Sequence, residues 1–117
     1  MRIDKSNMYK YISGNSINFN NCGVTSVEYF PEGIRTIHCG DNNLTELPPL
    51  PKSVRTLNCE SNYLTTLPYL PIGLIELYCS DNKLHSYPDE PFDLEWNKIH
   101  NKQANRSIVI KKVLNSK

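Results

Sequence analysis

Apolar residues return to the same slots every twenty positions through the middle of this chain. The units read IRTIHCGDNNLTELPPLPKS from Ile34, VRTLNCESNYLTTLPYLPIG from Val54 and LIELYCSDNKLHSYPDEPFD from Leu74. Aliphatic residues recur at 34/54/74 and 37/57/77, cysteines at 39/59/79 and leucines at 44/64/84, with Asn42, Asn62 and Asn82 as a matching polar column. The first half of each unit alternates apolar and polar positions, the period of a short half-buried strand. The second half reads Leu-Pro-x-Leu-Pro at 47–51 and 67–71 and decays to Tyr87-Pro88-Asp89-Glu90-Pro91 in the third copy. Each unit therefore predicts a strand, a sharp turn and an extended return. Stacked units predict a parallel sheet.

The columns match L-x-x-L-x-L-x-x-N/C-x-L, the leucine-rich repeat pattern, with Cys in the third apolar slot. Shifting the register back by twenty places Ile17, Phe19, Cys22, Val24 and Val27 in the apolar and ladder columns, followed by Phe30-Pro31. The expected architecture is a solenoid of four repeats, 14–33, 34–53, 54–73 and 74–93, with a short parallel β-sheet on its concave side. Residues 1–13 precede the register, and Met8, Tyr9, Tyr11 and Ile12 are expected to cover the first open edge. Whether they do so as strand or helix the pattern leaves open. From Leu94 the register fails, since Asn97 and Lys102 fall in its fourth and ninth columns. Asp93 as N-cap and the i, i+3, i+4 spacing of Trp96, Ile99 and His100 predict a helical, basic C-terminal cap over 94–117.

The asparagine column has a stated physical job. A sharp turn after each strand strands backbone N–H and C=O groups, and a buried amide offers both donors and an acceptor to satisfy them. The thiol of Cys22, in the same column, does this only weakly. The prolines define the outer wall. Seven of eight fall in the columns 48/68/88 and 31/51/71/91, Pro49 being the exception. They exclude a helix there and predict an extended, polyproline-II-like convex side. Pro48-Pro49-Leu50-Pro51 also satisfies P-x-x-P, the motif of SH3 and WW ligands, but the same columns recur without it, so we read these prolines as architectural.

Composition narrows the function classes. The 117 residues carry a net charge of +1, which argues against non-specific nucleic-acid binding. Residues 1–93 hold 7 Lys/Arg against 11 Asp/Glu, whereas 94–117 holds 6 against 1. No apolar run reaches the ~20 residues a membrane-spanning helix needs, and the N-terminus lacks the apolar core of a secretory signal. A cytoplasmic, monomeric protein without membrane contact is expected. Cys39, Cys59 and Cys79 sit in a leucine column, with side chains pointing the same way in a parallel stack. They read as small buried hydrophobes in a reducing compartment rather than as disulfides or zinc ligands. A catalytic reading would have to use His38, His85, His100 or these cysteines. His38 and Cys39 point to opposite faces of one strand, and no carboxylate pair or phosphate-cradling glycine loop appears. No enzyme, cofactor or metal site is expected.

The twenty-residue Leu-Pro-x-Leu-Pro unit resembles the short repeat class of bacterial type III effectors, the IpaH, SlrP and YopM families. Its Cys-bearing form is similar to repeats of many giant-virus and environmental bacterial proteins. The resemblance covers 14–93, and strongly 34–93. It implies a repeat scaffold that binds a protein, in the host cytosol if the protein is viral or injected. Nothing after the last repeat matches the ubiquitin-ligase domain that IpaH-type proteins join to theirs. The partner face is then expected on the concave side, where the slots between apolar columns align into rows. One row is Asn18, His38, Asn58, Tyr78, and the next is Ser16, Thr36, Thr56, Glu76. Flanking rows are Asn15, Arg35, Arg55, Ile75 and Asn20, Gly40, Glu60, Ser80. From these, Asn18, Arg35, Thr36, His38, Arg55, Thr56, Asn58, Glu76 and Tyr78 are the candidate partner-binding residues, with Tyr78 as anchor and the two arginines bracketing an acidic group. The alternative is a repeat fragment whose basic 94–117 segment does the binding.

Overall fold

The computed structural model describes residues 1–84; the expected C-terminal cap, His85, His100 and the third proline-bearing return lie outside them. Among these residues seven short strands form two sheets. In chain order they are β1 (Arg2–Ile3), β2 (Ile12–Ser13), β3 (Ser16–Asn18), β4 (Ser26–Val27), β5 (Thr36–His38), β6 (Thr56–Asn58) and β7 (Glu76–Tyr78). The larger sheet runs β2-β3-β5-β6-β7, and β1 pairs with β4 in the smaller one.

From β3 to β7 the strands are parallel, and their register is the twenty-residue offset itself. Ile17, Ile37, Leu57 and Leu77 are Cα partners across neighbouring strands, and all four side chains are fully buried. Backbone bonds step from one turn to the next. Arg35 N donates to Asn15 O, Arg55 N to Arg35 O and Ile75 N to Arg55 O, each at 2.8 Å. Cys39, Cys59 and Cys79 are buried beside these residues, with Leu44 and Leu64 behind them. The returns after Leu44 and Leu64 contain neither helix nor strand, as prolines at 48, 51, 68 and 71 require.

The turns are wired by side-chain amides. Asn62 donates from Nδ2 to the carbonyls of Cys39, Cys59 and Glu60 at 3.0–3.2 Å, and its Oδ1 accepts Leu44 N at 3.0 Å. Asn82 repeats the set on Cys59, Cys79, Ser80 and Leu64. Each amide therefore serves its own turn and the turn before it, rather than the turns on both sides. Cys22 falls in this column but lies exposed, its Sγ donating to Asn20 O at 3.3 Å.

A second column, absent from the sequence reading, precedes the ladder by one residue. Asn21, Asp41, Ser61 and Asp81 have φ between 54° and 61°, the left-handed region that Asn and Asp tolerate best. This conformation aims the following amide into the core. A β-branched residue cannot adopt it without strain. Asp41→Val should accordingly lower stability by about 1–3 kcal/mol, while Asp41→Gly leaves the denaturation midpoint nearly unchanged. Equal midpoints for the two variants would show that this backbone conformation is not required.

The N-terminal thirteen residues combine strand and turn. β1 lies parallel to β4 with Ile3 opposite Val27, and Ile3 is fully buried. A 3-10 turn, Met8–Tyr11, follows. It is preceded by Asp4, whose carboxylate accepts the Ser6 hydroxyl and amide; these bonds hold its pKa below the usual value. β2 then pairs antiparallel with β3, ending the parallel stack on that side. Met8 is buried and Tyr11 and Ile12 pack partly against the core, Tyr11 meeting Phe19 edge-on at 6.2 Å between ring centroids. Tyr9 departs from the expectation: it is 70% exposed, because in this turn its neighbour Met8 takes the inward position. Ile3 contributes the cover that Tyr9 does not.

Candidate functional site

Alternation along the strands decides what the sheet shows to solvent. With Ile17, Ile37, Leu57 and Leu77 inward, the residues on either side face out. Ser16, Thr36, Thr56 and Glu76 are consecutive Cα partners, as are Asn18, His38, Asn58 and Tyr78. Two four-residue rows therefore run across the parallel strands, about 4.8 Å per step. All eight side chains are half-buried or exposed.

The members of these rows are not equivalent. Asn58 Oδ1 accepts Glu60 N at 3.2 Å and Asn18 Oδ1 accepts Asn20 N at 3.0 Å, local bonds that hold the chain leaving each strand. Their recurrence at one column, two residues before the accepted amide, is the sequence signal for this role, which the row reading missed. In the intervening repeat, Gly40 N instead donates to Asn20 Oδ1 at 2.6 Å. A methyl group at Gly40 would stand 3.2 Å from Glu60 O, 3.4 Å from Asn58 Oδ1 and 3.5 Å from Asn20 Oδ1. Glycine lets the two amides close over that point. Thr56 Oγ1 donates to Glu76 Oε1 at 3.3 Å. His38 and Tyr78, in contrast, carry no such local bond among the described residues, so their polar atoms face solvent with hydrogen-bonding capacity to spare.

The two arginines separate. Arg35 is exposed. Arg55 is half-buried, and its Nη1 donates to Lys52 O at 3.1 Å and Val54 O at 3.3 Å. Its guanidinium covers Gly73, where an added methyl would come within 2.5 Å of Nη1. Arg55 is thus turned toward backbone carbonyls rather than held beside Arg35 as half of a bracket. The sequence gives no hint of this, because the carbonyls belong to the main chain.

Burial removes the buried thiols from chemistry. Desolvation pushes Cys39 and Cys79 from 9.0 to about 12 and Cys59 well above its ordinary value. A nucleophilic cysteine needs the opposite shift. Two surface recesses lie off the rows. One of about 370 Å³ is lined by Tyr63, Asp81 and Lys83 at the turns; another of about 360 Å³ lies on the proline wall. No row residue lines either recess.

Comparison with known proteins agrees with this geometry. No protein-family model and no curated protein matches the chain. Among solved structures, YopM from Yersinia enterocolitica WA-314 superposes with a TM-score of 0.64 at 30% sequence identity, over 73% of this chain. The match spans 18% of the YopM chain, a small part of that protein's length. The described residues therefore have a leucine-rich repeat fold, and this chain is similar to the repeat region of YopM.

Proposed function

We propose that the chain is a non-enzymatic protein-interaction module, four repeats over 14–93 closed by 94–117, that docks a partner on the solvent face of its parallel sheet. The observation that carries this reading is the register of Asn18, His38, Asn58 and Tyr78 on four adjacent strands. It makes one continuous polar strip with an aromatic at its end. Tyr78 is the anchor, because a tyrosine ring supplies contact area at low entropic cost and a hydroxyl for the rim. His38 and Arg35 supply the remaining directional contacts, with Arg35 set to meet an acidic group. Asn18 and Asn58 shape the strip through their bonds to Asn20 and Glu60. The face suits a protein in a cytosolic setting, with a single copy of this chain presenting it.

Capture of partners from a proteome with the intact chain, followed by titration of the captured protein, tests this. Tyr78→Ala and Arg35→Glu should each weaken binding by about 1–3 kcal/mol with little change in thermal midpoint, and Glu46→Lys on the opposite side should have no effect. Arg55→Glu is a poorer probe, since it also frees the carbonyls of Lys52 and Val54. Unchanged affinity in both row variants refutes the assignment. Loss of binding on deleting 94–117 from a chain that stays folded would transfer the function to that basic segment.

A further inference from the structure

We propose that the recess at the turns binds a free amino acid as its zwitterion, with the α-ammonium at Asp81, the α-carboxylate at Lys83 and an apolar side chain on the Tyr63 ring. The recess has a volume of about 370 Å³, a size that small molecules occupy. It opens at the turns that follow β6 and β7, apart from the solvent rows of the sheet. Its floor is the amide ladder. Asn62 and Asn82 line it, but each has its Nδ2 shared among three carbonyls and its Oδ1 engaged by a backbone amide. A ligand is therefore held from the rim, by Tyr63, Asp81 and Lys83.

That rim carries one charge of each sign. Asp81 and Lys83 are exposed and line the same recess, yet no ion pair joins them among the described residues. A simple cation or anion would meet one attractive and one repulsive group there. A zwitterion meets two attractive ones. Ser61 Oγ donates to Asp81 Oδ2 at 3.2 Å, which orients the carboxylate and leaves its other oxygen to accept an ammonium proton. The Lys83 ammonium donates to a carboxylate in the same way. Tyr63, 51% exposed, offers a ring face for an apolar side chain. The repeat register confines this set to one step of the solenoid. Asp41 stands in the column of Asp81, but Asn43 follows it where Lys83 follows Asp81, and Gly23 precedes it where Tyr63 would stand. The same columns show that the turn accepts asparagine at each rim position, since Asn21 shares the column of Asp81 and Asn43 that of Tyr63 and Lys83.

The test is isothermal titration calorimetry of the full chain with free L-phenylalanine at low salt. Saturable binding of one molecule per chain is expected, weakening as salt is added because both charged contacts are exposed. Two analogues each delete one charge. N-acetylphenylalanine lacks the ammonium and phenylalaninamide the carboxylate, and each should bind at least tenfold more weakly. Glycine keeps both charges without the side chain and should bind at least threefold more weakly. Asp81→Asn should weaken phenylalanine at least fivefold but leave N-acetylphenylalanine no weaker than before. Lys83→Asn should do the same with phenylalaninamide as the indifferent ligand, and Tyr63→Asn should abolish the advantage of phenylalanine over glycine. Tyr78→Ala should change nothing, which separates this recess from the sheet face. Absence of saturable binding at millimolar phenylalanine, or full binding retained in both Asp81→Asn and Lys83→Asn, would overturn the proposal. So would phenylalaninamide binding as tightly as phenylalanine, which would assign the recess to the amino terminus of a peptide.

Discussion

Asn42→Ala should destabilise the protein by about 3–5 kcal/mol, more than the same substitution at any other described rung of the ladder. The reason is its extra partner. Asn42 Oδ1 accepts both Cys22 N at 3.1 Å and Val24 N at 2.9 Å, whereas the amides equivalent to Cys22 N in the next two repeats are taken by the Ser61 and Asp81 carbonyls. Its Nδ2 is also the donor to Phe19 O, at 3.0 Å, with no second amide there among the described residues. Removing Asn42 leaves up to three groups unpaired, at about 1–3 kcal/mol for each one that is buried. Asn62 is better insured. Asn42 still reaches Cys39 O, Asn82 still reaches Cys59 O, and Asp41 N still donates to Glu60 O. Only Leu44 N then loses its amide partner, so Asn62→Ala should cost about 1–3 kcal/mol. Cys22→Ala, which removes an exposed thiol, should stay within about 0.5 kcal/mol. Denaturant midpoints followed by circular dichroism would rank the three. Equal losses at 42 and 62 would mean that the extra bond to Cys22 N carries no load.

The second large effect is on thiol reactivity. The thiolate is the species that alkylates, and Cys39 and Cys79 are raised from 9.0 to about 12 by burial. Three pH units correspond to about a thousandfold less thiolate at pH 8, before any steric exclusion. Native alkylation read by mass spectrometry should therefore label Cys22 quickly and the three buried thiols far more slowly, by about a thousandfold at Cys39 and Cys79, with the difference vanishing on denaturation. Rapid native labelling at Cys59, raised further by its two thiol neighbours and Glu60, would contradict the core assignment. The same shifts set a pH dependence. A thiol whose pKa is higher in the folded state contributes stability that is complete below its unfolded value near 9. That contribution is lost as pH rises through about 12, because the unfolded chain sheds these protons first. Stability should be level with respect to these groups up to about pH 8 and fall steeply above pH 9.

How much of this was legible in the residues depends on which atoms carry the information. The sheet was legible, because side chains such as Ile37, Leu57 and Leu77 repeat at a fixed interval and burial acts on side chains. So were the two solvent rows, since alternation places Asn18, His38, Asn58 and Tyr78 once the register is known. Main-chain events were not. The left-handed turn at Asp41 and Ser61 is encoded only by a small polar residue ahead of the ladder asparagine, a weak signal outside a stack of repeats. Arg55 folds onto carbonyls that no side-chain pattern reveals. The pairing of Arg2 and Ile3 with Ser26 and Val27 joins segments 24 residues apart, and a single copy of β1 leaves no periodicity to detect.

Tyrosines distributed over the molecule allow the sheet-face assignment to be tested directly. Tyr78 and His38 lie on the row two strands apart, Tyr63 at the turns, Tyr69 on the proline wall and Tyr9 at the N-terminal turn, the last three being 51%, 69% and 70% exposed. Hydroxyl-radical footprinting of the intact chain, alone and saturated with its captured partner, reports all of them in one measurement. The expected result is at least a fivefold loss of oxidation at Tyr78 and His38, with Tyr9, Tyr63 and Tyr69 unchanged. Protection of Tyr63 or Tyr69 with Tyr78 still reactive would place that partner elsewhere on the solenoid and contradict the proposed binding face.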